Sequence, residues 1–401
     1  MSINLGSNSF SLYLGSTKIS EAYVGSVKVF NSGLPAIQPY TLRVEFVDVP
    51  ECQTASFDPT QGTGDESAPD WSYGTWRHVY GNVYDWTYPS DTWFVEYRNP
   101  SGSGYASPWG LTRAGQADYT NRFQTLAYRV VGANLTGVKY IPKLFTFTAK
   151  YLVSVELFDT SMIECAGSMF STTGRSIPKY LTSLPDFDFS GINNDSIPLG
   201  FTASQAKNYS LLGLMYFSNG NNKLIATPNL TFPSNRAITV EKMYYGCSAL
   251  TSATLNGLHC STAYQAFNGC RNLTSATLSN CILKDTRQMF GNTSSSYACP
   301  LSDSLTMTNV KVIGNASYMF GNCNLKTVPL FDTSETTSMS NMFASNYNVE
   351  SGALAMYQQA STQITPPSSY NGCFSNCGRD TASGAAELAQ IPTSWGGTMS
   401  A

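Results

Sequence analysis

Beyond Gly132 the chain repeats itself, and a chain that repeats at this interval has few ways to fold. Aromatic residues, several directly preceded by Met, recur at Phe170, Phe217, Tyr245, Phe267, Phe290, Phe320, Phe343 and Phe374. The steps from Tyr245 to Phe267 and on to Phe290 are 22 and 23 residues, and Phe320 to Phe343 is again 23. Phe170 to Phe217, at 47, is close to two periods, while Phe290 to Phe320 and Phe343 to Phe374 are stretched to 30 and 31. Apolar residues keep the same phase: Leu250, Ala253, Leu255 and Leu258, then Leu273, Ala276, Leu278 and Cys281, and later Leu325, Val328 and Leu330. A unit this short cannot bury its own apolar face, so neighbouring units must stack and share one core. The phase predicts one short strand per unit. It predicts an inward ladder that includes Leu250, Leu255, Leu273, Leu278, Leu325 and Leu330, with each aromatic residue plugging its layer.

The cysteines follow the repeat. Cys247, Cys270 and Cys323 fall two or three residues after an aromatic anchor, and Cys260 and Cys281 lie near strand ends. Recurrence at one phase predicts small buried residues that remain mostly free thiols, rather than disulfides or ligands. Cys373 and Cys377 have the best spacing for a pair, but zinc needs four ligands and the chain's two histidines, His78 and His259, are far from them in sequence. No metal, cofactor or catalytic residue is assigned. A nucleophilic triad needs a His base, and neither histidine has a Ser or Cys placed to be activated.

Before the repeats the texture is different. Residues 1–33 carry the phrases LGSNSF, LGSTKI and VGSVKV, strand-like runs separated by Gly-Ser turns, and Asn31-Ser32-Gly33-Leu34-Pro35 reads as a break. Such a unit is too small to be stable alone and is expected to order by packing against other chains, with Leu14, Ile19, Val24 and Val29 as docking residues. Residues 40–135 read as a β-rich aromatic domain. The run TLRVEFVDV alternates as a strand with a bulge near Phe46, and Trp71, Trp76, Trp86 and Trp93 follow among turn residues.

Charge narrows the function. Charged residues are 12% of the chain and the net charge is -3, against roughly 25% charged residues in typical domains. Lys and Arg form no cluster, so nucleic acid is not an expected partner. No apolar run approaches a bilayer span, and MSINLGSNSF lacks the features of a signal peptide, so neither membrane insertion nor signal-directed secretion is expected. A surface of Ser, Thr, Asn, Gly and Tyr suits burial in an assembly or contact with neutral polar ligands such as sugars. Trp76, Trp86, Tyr88 and Trp93 are the candidate glycan contacts, because a pyranose ring packs on an uncharged aromatic face. Asp85, Asp91 and Glu96 lie among them and could form a carboxylate pair. The alternative is turn-capping aspartates beside core aromatics.

The segment ASYMFGNCNLKTVPLFDTSETTSMSNMF, from Ala316 to Phe343, resembles the BspA-type leucine-rich repeats of bacterial surface antigens. The likeness runs over roughly 135–399 and includes ELAQIPTSWGG, which resembles a cap; the weak stretch is between Ile192 and Asn208. It implies a leucine-rich-repeat solenoid over 136–401, making the chain mainly β with short helices and turns. The opening LGSTKI and VGSVKV phrases are similar to those that begin tail-associated and fibre-like proteins of phages infecting gut bacteria. That resemblance implies a non-enzymatic virion protein, assembled in the host cytoplasm and released by lysis. It would be a homo-oligomer held to other virion proteins by its N-terminal segment and turned towards a host-surface receptor or glycan. A purely structural virion component, a bacterial adhesin and a glycan depolymerase are the alternatives.

Overall fold

The computed structural model describes residues 35–50, 75–87, 127–141, 144–145, 152–170, 178–193, 211–216 and 222–399, with the strand backbones of 12–14, 17–19, 21–24 and 27–31. The chain is mainly β. Strands β1 (Leu12–Leu14) and β2 (Thr17–Ile19) pair antiparallel, as do β3 (Glu21–Val24) and β4 (Val27–Asn31). Leu14 faces Thr17 and Val24 faces Val27; the Gly-Ser turns expected between them lie outside the described residues. Leu14, Ile19, Val24 and Val29 fall one on each strand; their side chains, and the LGSNSF copy, lie outside the described residues.

A second sheet follows, built from β5 (Thr41–Phe46), β6 (Thr75–Tyr80), β7 (Val83–Thr87), β8 (Tyr128–Asn134) and β9 (Leu152–Val155) in the order β6-β7-β5-β8-β9. Leu42, Val44 and Phe46 alternate along β5 and are buried, which makes it the central strand. The irregularity expected near Phe46 sits between Arg43 and Val44, opposite Gly132 and Val130. On the other face of β5, Arg43 is buried and donates Nε and Nη2 to the two carboxylate oxygens of Asp85, at 2.6 and 2.9 Å. Arg77 adds a third bond to Asp85 at 2.9 Å. A buried carboxylate held by two guanidinium groups ties β5, β6 and β7 together. β8 pairs antiparallel with β5 but parallel with β9, so the sheet runs on past residue 135.

The repeats form a curled parallel sheet of β10 (Ile238–Thr239), β11 (Ser252–Asn256), β12 (His259–Thr262), β13 (Ser275–Lys284), β14 (Ser304–Asn315) and β15 (Asp332–Ser338). β11 and β12 both lie against the longer β13 in successive registers, Leu255 on Leu278 and Cys260 on Leu283. The buried core is continuous from Leu42 to Trp395.

The other side of each layer is a turn, and its hydrogen bonds explain the aromatic period. The N–H of Phe145 donates to the carbonyl of Met169, Phe170 to Leu214, Met215 to Met243, Tyr244 to Ala266 and Phe267 to Met289. Phe290 then donates to Met319, Phe320 to Met342 and Phe343 to Cys373. Every acceptor immediately precedes the next ladder residue, so the ring of each layer is carried onto the ring below. Phe267 and Phe290 lie 4.9 Å apart at 5°, and Phe290–Phe320, Phe320–Phe343 and Phe343–Phe374 lie 5.6–5.7 Å apart at 7–10°. Each spacing is close to the separation of paired strands, slightly opened by the curl.

Two residues before the ladder position the backbone is left-handed in every described layer from Ser168 on: Ser168, Gly213, Lys242, Gln265, Gln288, Tyr318, Asn341 and Gly372 have φ between 52° and 66°. This reversal lets the chain turn within four residues. It costs a non-glycine residue about 1–2 kcal/mol, offset by a second inter-layer bond, as from Gln265 N–H to the Arg287 carbonyl.

Several expectations shift by a residue. The ladder position is Tyr244, not Tyr245; Tyr245 points outward and stacks on Tyr216. Phe217 lies outside the described residues, and Met215 holds its ladder position. Phe170 bonds directly to the layer of Met215, so that interval is one step of the ladder rather than two periods. Leu250, Leu255, Leu273, Leu278 and Leu325 are buried as predicted, but Leu330 is 50% exposed and its neighbours Val328 and Phe331 turn inward instead. Pro329 between them breaks the alternation, because proline cannot continue the ladder of a central strand.

The long intervals have local causes. The first is an excursion over 293–298, after which Cys299 resumes the layer by donating its N–H to the Phe290 carbonyl. The second holds the helix Ala353–Thr362, whose first-turn N–H groups at Gly352 and Leu354 are accepted by the Glu387 carboxylate. Gly352 has φ 95°, and a Cβ there would lie 2.3 Å from the Val328 carbonyl oxygen, so only glycine fits. ELAQIPTSWGG closes the stack: Phe374 N–H donates to the Trp395 carbonyl, and Trp395 lies flat on Tyr370 at 4.3 Å.

Two stability predictions follow from this packing. Leu278→Asp should cost more than 3 kcal/mol while Leu330→Asp changes stability by under about 0.5 kcal/mol. Equal melting temperatures for the two variants would refute the ladder phase. The buried Tyr244 hydroxyl has no partner among the described residues, so Tyr244→Phe should stabilise by about 1 kcal/mol, read as a higher denaturant midpoint.

Candidate functional site

Of the expected glycan contacts, only Trp86 has its side chain among the described residues. Trp86 is fully buried in the β5–β8 sheet, a core ring that no surface ligand reaches. Trp76 lies opposite it on β6 with its side chain outside the described residues, and Tyr88 and Trp93 lie outside them as well. Asp85 is occupied by Arg43 and Arg77, which makes it a structural carboxylate; Asp91 and Glu96 are outside the described residues. His78 closes the β6–β7 hairpin through a 2.9 Å contact from Nε2 to the Gly81 carbonyl. His259 is half-buried on β12 opposite Ile282. Among the described residues no group of His, Cys, Asp and Glu side chains is arranged to hold a metal ion, and no helix is long and apolar enough to cross a membrane.

The cysteines have a positional role. Nine of them are buried free thiols, and the tenth, Cys52, is outside the described residues. Cys247, Cys270 and Cys299 donate their thiols to the carbonyls of Met215, Tyr244 and Phe267, at 3.4, 3.1 and 3.1 Å. Each acceptor is the ladder residue of the preceding layer. Asn346, at the same phase, donates its amide to Phe320 at 2.8 Å, so a compact donor rather than sulfur chemistry is what this position needs. Burial pushes the Cys165 and Cys260 thiols up to about 12 and also raises Cys323, Cys373 and Cys377.

One concavity of the repeats lies where β13 and β14 bend. Asn280 and Asn309 take left-handed backbone, φ 54° and 52°, which asparagine tolerates better than other non-glycine residues. Each strand turns a corner there, and the corners leave a groove of about 400 Å³. Ile282, Met307 and Leu330 supply its apolar wall. Across it runs a row of amides: Asn309 Nδ2 donates to Asn280 Oδ1 at 2.9 Å, and Asn280 Nδ2 to Asn256 Oδ1 at 3.1 Å. Asn309 Oδ1 at the end of the row has no partner among the described residues. Lys311 borders the groove, bonded to Glu335 at 2.6 Å and 3.8 Å from Asp332. The arrangement offers a fixed amide acceptor beside an apolar wall, which is what one face and one edge of a small polar ring require.

A polar surface rich in Ser, Thr and Asn is legible in the sequence, but this groove is not. The missing signal was Gly257 after Asn256, an αL corner whose counterparts one and two repeats on are Asn280 and Asn309.

With that geometry in place, the class of the repeats is defined. Residues 216–350 match the family described as BspA type leucine rich repeat region, in six copies. This segment is therefore a run of BspA-type leucine-rich repeats, as its residues suggest. No curated protein and no solved structure matches the chain.

The thiol burial predicts reactivity. At about pH 8 a water-soluble thiol reagent should label at most one or two cysteines in the native protein. After unfolding without reductant it should label at least eight of the ten. Rapid labelling of four or more native thiols would contradict the stacked cysteine positions.

Proposed function

We propose that this chain is a non-enzymatic phage virion surface protein whose repeats, stacked as one curved solenoid, bind a saccharide on the host surface. The observation that carries the reading is the groove at the β13–β14 corner, where an unoccupied amide acceptor on Asn309 sits beside the apolar wall of Ile282, Met307 and Leu330. A neutral sugar needs these two things, an acceptor for a hydroxyl and an apolar surface for the C–H face of its ring. The low charge of the chain supports a neutral ligand. The paired hairpins of residues 12–31 support a role for that segment as a docking element for other virion proteins, in a homo-oligomer.

One observation favours a second reading, a structural virion component. Leu330 and Ile282 are exposed, and a protein partner would cover the same wall.

Purified full-length protein should bind intact host cells and their isolated surface polysaccharide. Asn309→Gly keeps the left-handed backbone and removes the amide, so it should weaken saccharide binding about tenfold without lowering the melting temperature. Binding to virion proteins with none to saccharide would establish the structural reading instead.

A further inference from the structure

The turns of four consecutive layers, from Met215 to Phe290, carry a second surface, unlike the rest of the stack. Tyr216 and Tyr245 follow the ladder residues Met215 and Tyr244 directly, and their half-exposed rings stack at 5.1 Å and 24°. In later layers the same position holds Asn268, Gly291, Gly321, Ala344 and Ser375, so the layer geometry does not call for a ring there. Tyr264 and Tyr297 extend the patch. Tyr297 is 43% exposed and comes from the 293–298 excursion, fixed by a 2.7 Å bond from Gly269 N–H to its carbonyl. Tyr245 holds its proton more tightly because of partial burial and the neighbouring Tyr216, Tyr297 and Tyr264, with Arg271 acting in the opposite sense. These are therefore neighbours on one surface.

Three cations stand among the rings. Lys242 and Arg287 both lie over the Tyr264 ring, at 5.8 and 4.9 Å. Each has a carboxylate of its own, Glu241 at 3.4 Å and Asp285 at 2.6 Å. Arg271 differs. Its guanidinium lies 5.3 Å above the Tyr297 ring, is exposed, and has no carboxylate partner among the described residues. The patch therefore carries one uncompensated positive charge on a chain whose net charge is -3. Its guanidinium is held over an aromatic face, with its planar fork of donors available.

We propose that this Tyr216–Tyr245–Tyr264–Tyr297 patch is a second binding site, specific for an acidic saccharide of the uronic-acid type. The tyrosine rings receive the C–H faces of successive pyranose units, and Arg271 takes the carboxylate. Charge complementarity selects this occupant over a neutral sugar, which would leave the guanidinium unpaired, and the exposed rings select it over a small inorganic anion, which would leave them uncovered. The inference rests on the reading of the chain as a saccharide binder but uses other residues and another chemistry.

The test is calorimetric titration of the full-length protein with an oligogalacturonate and with its methyl-esterified, uncharged counterpart. The acid should bind with an affinity that falls as salt rises, and the ester at least tenfold more weakly. Arg271→Gln should remove most of that difference, while Tyr245→Ser should weaken both ligands. Asn309→Gly, which reports on the groove, should leave acid binding unchanged. Equal binding of acid and ester, no binding of either, or wild-type binding by Arg271→Gln would overturn the proposal. Loss of acid binding in Asn309→Gly would do so as well, because it would place the acid in the groove. Cell binding that Asn309→Gly abolishes and Arg271→Gln spares would leave the groove reading standing while this one fails.

Discussion

The repeats depend on one hydrogen bond made again and again: the N–H of a ladder residue donating to the carbonyl that precedes the ladder residue of the next layer. This bond fixes register. Because it joins equivalent positions, like side chains must lie over like, and whatever a layer places at that point is placed on its counterpart above and below. An aromatic ring suits the point best, since parallel offset rings at this spacing attract by about 0.5–1.5 kcal/mol per pair beyond their burial. Met215 shows that the bond rather than the ring is essential, for it makes the same contacts without one.

Two features follow from that register. The chain must reverse quickly to bring each ladder residue round, and the left-handed residue two positions earlier does so even as Lys242, Gln265, Gln288 or Tyr318, where glycine would be unstrained. The ladder carbonyl must also find a donor in a dry interior. A cysteine thiol of the following layer supplies it at Cys247, Cys270 and Cys299, and the amide of Asn346 supplies it where cysteine is absent. The stack ends where Trp395 covers the last ring and Glu387 accepts the first-turn N–H groups of the helix Ala353–Thr362.

Since the ladder carbonyls find their donors inside the stack, the outside is free to vary, and the two proposed binding surfaces are irregularities there. One is the corner at Asn280 and Asn309, which opens a groove with an amide and an apolar wall. The other is the turn surface, where rings at Tyr216 and Tyr245 replace the small residues of later layers. Neither disturbs the ladder, so the two surfaces can differ in chemistry while resting on one scaffold.

How much of this was legible in the sequence depends on whether a feature recurs. Period, strand phase and cysteine burial are repeated, and repetition reveals them: Leu250, Leu255, Leu273 and Leu278 are inside as their spacing requires. Adjacent residues of like character are where the pattern is silent. Tyr244 and Tyr245 are the same residue type, and only the hydrogen bond to Ala266 sends one inward and the other out. Leu330 and Phe331 exchange roles because Pro329 breaks the alternation between Val328 and strand β15. Trp86 and Asp85 resembled parts of a sugar site by composition, but burial and the Arg43 pair make them structural. By itself the sequence determined that this chain must stack in layers, because no single repeat can bury its apolar face. Only the tertiary structure decided which residue of each neighbouring pair faces the core and which faces outward, since that choice is made by contacts between layers that lie more than twenty residues apart.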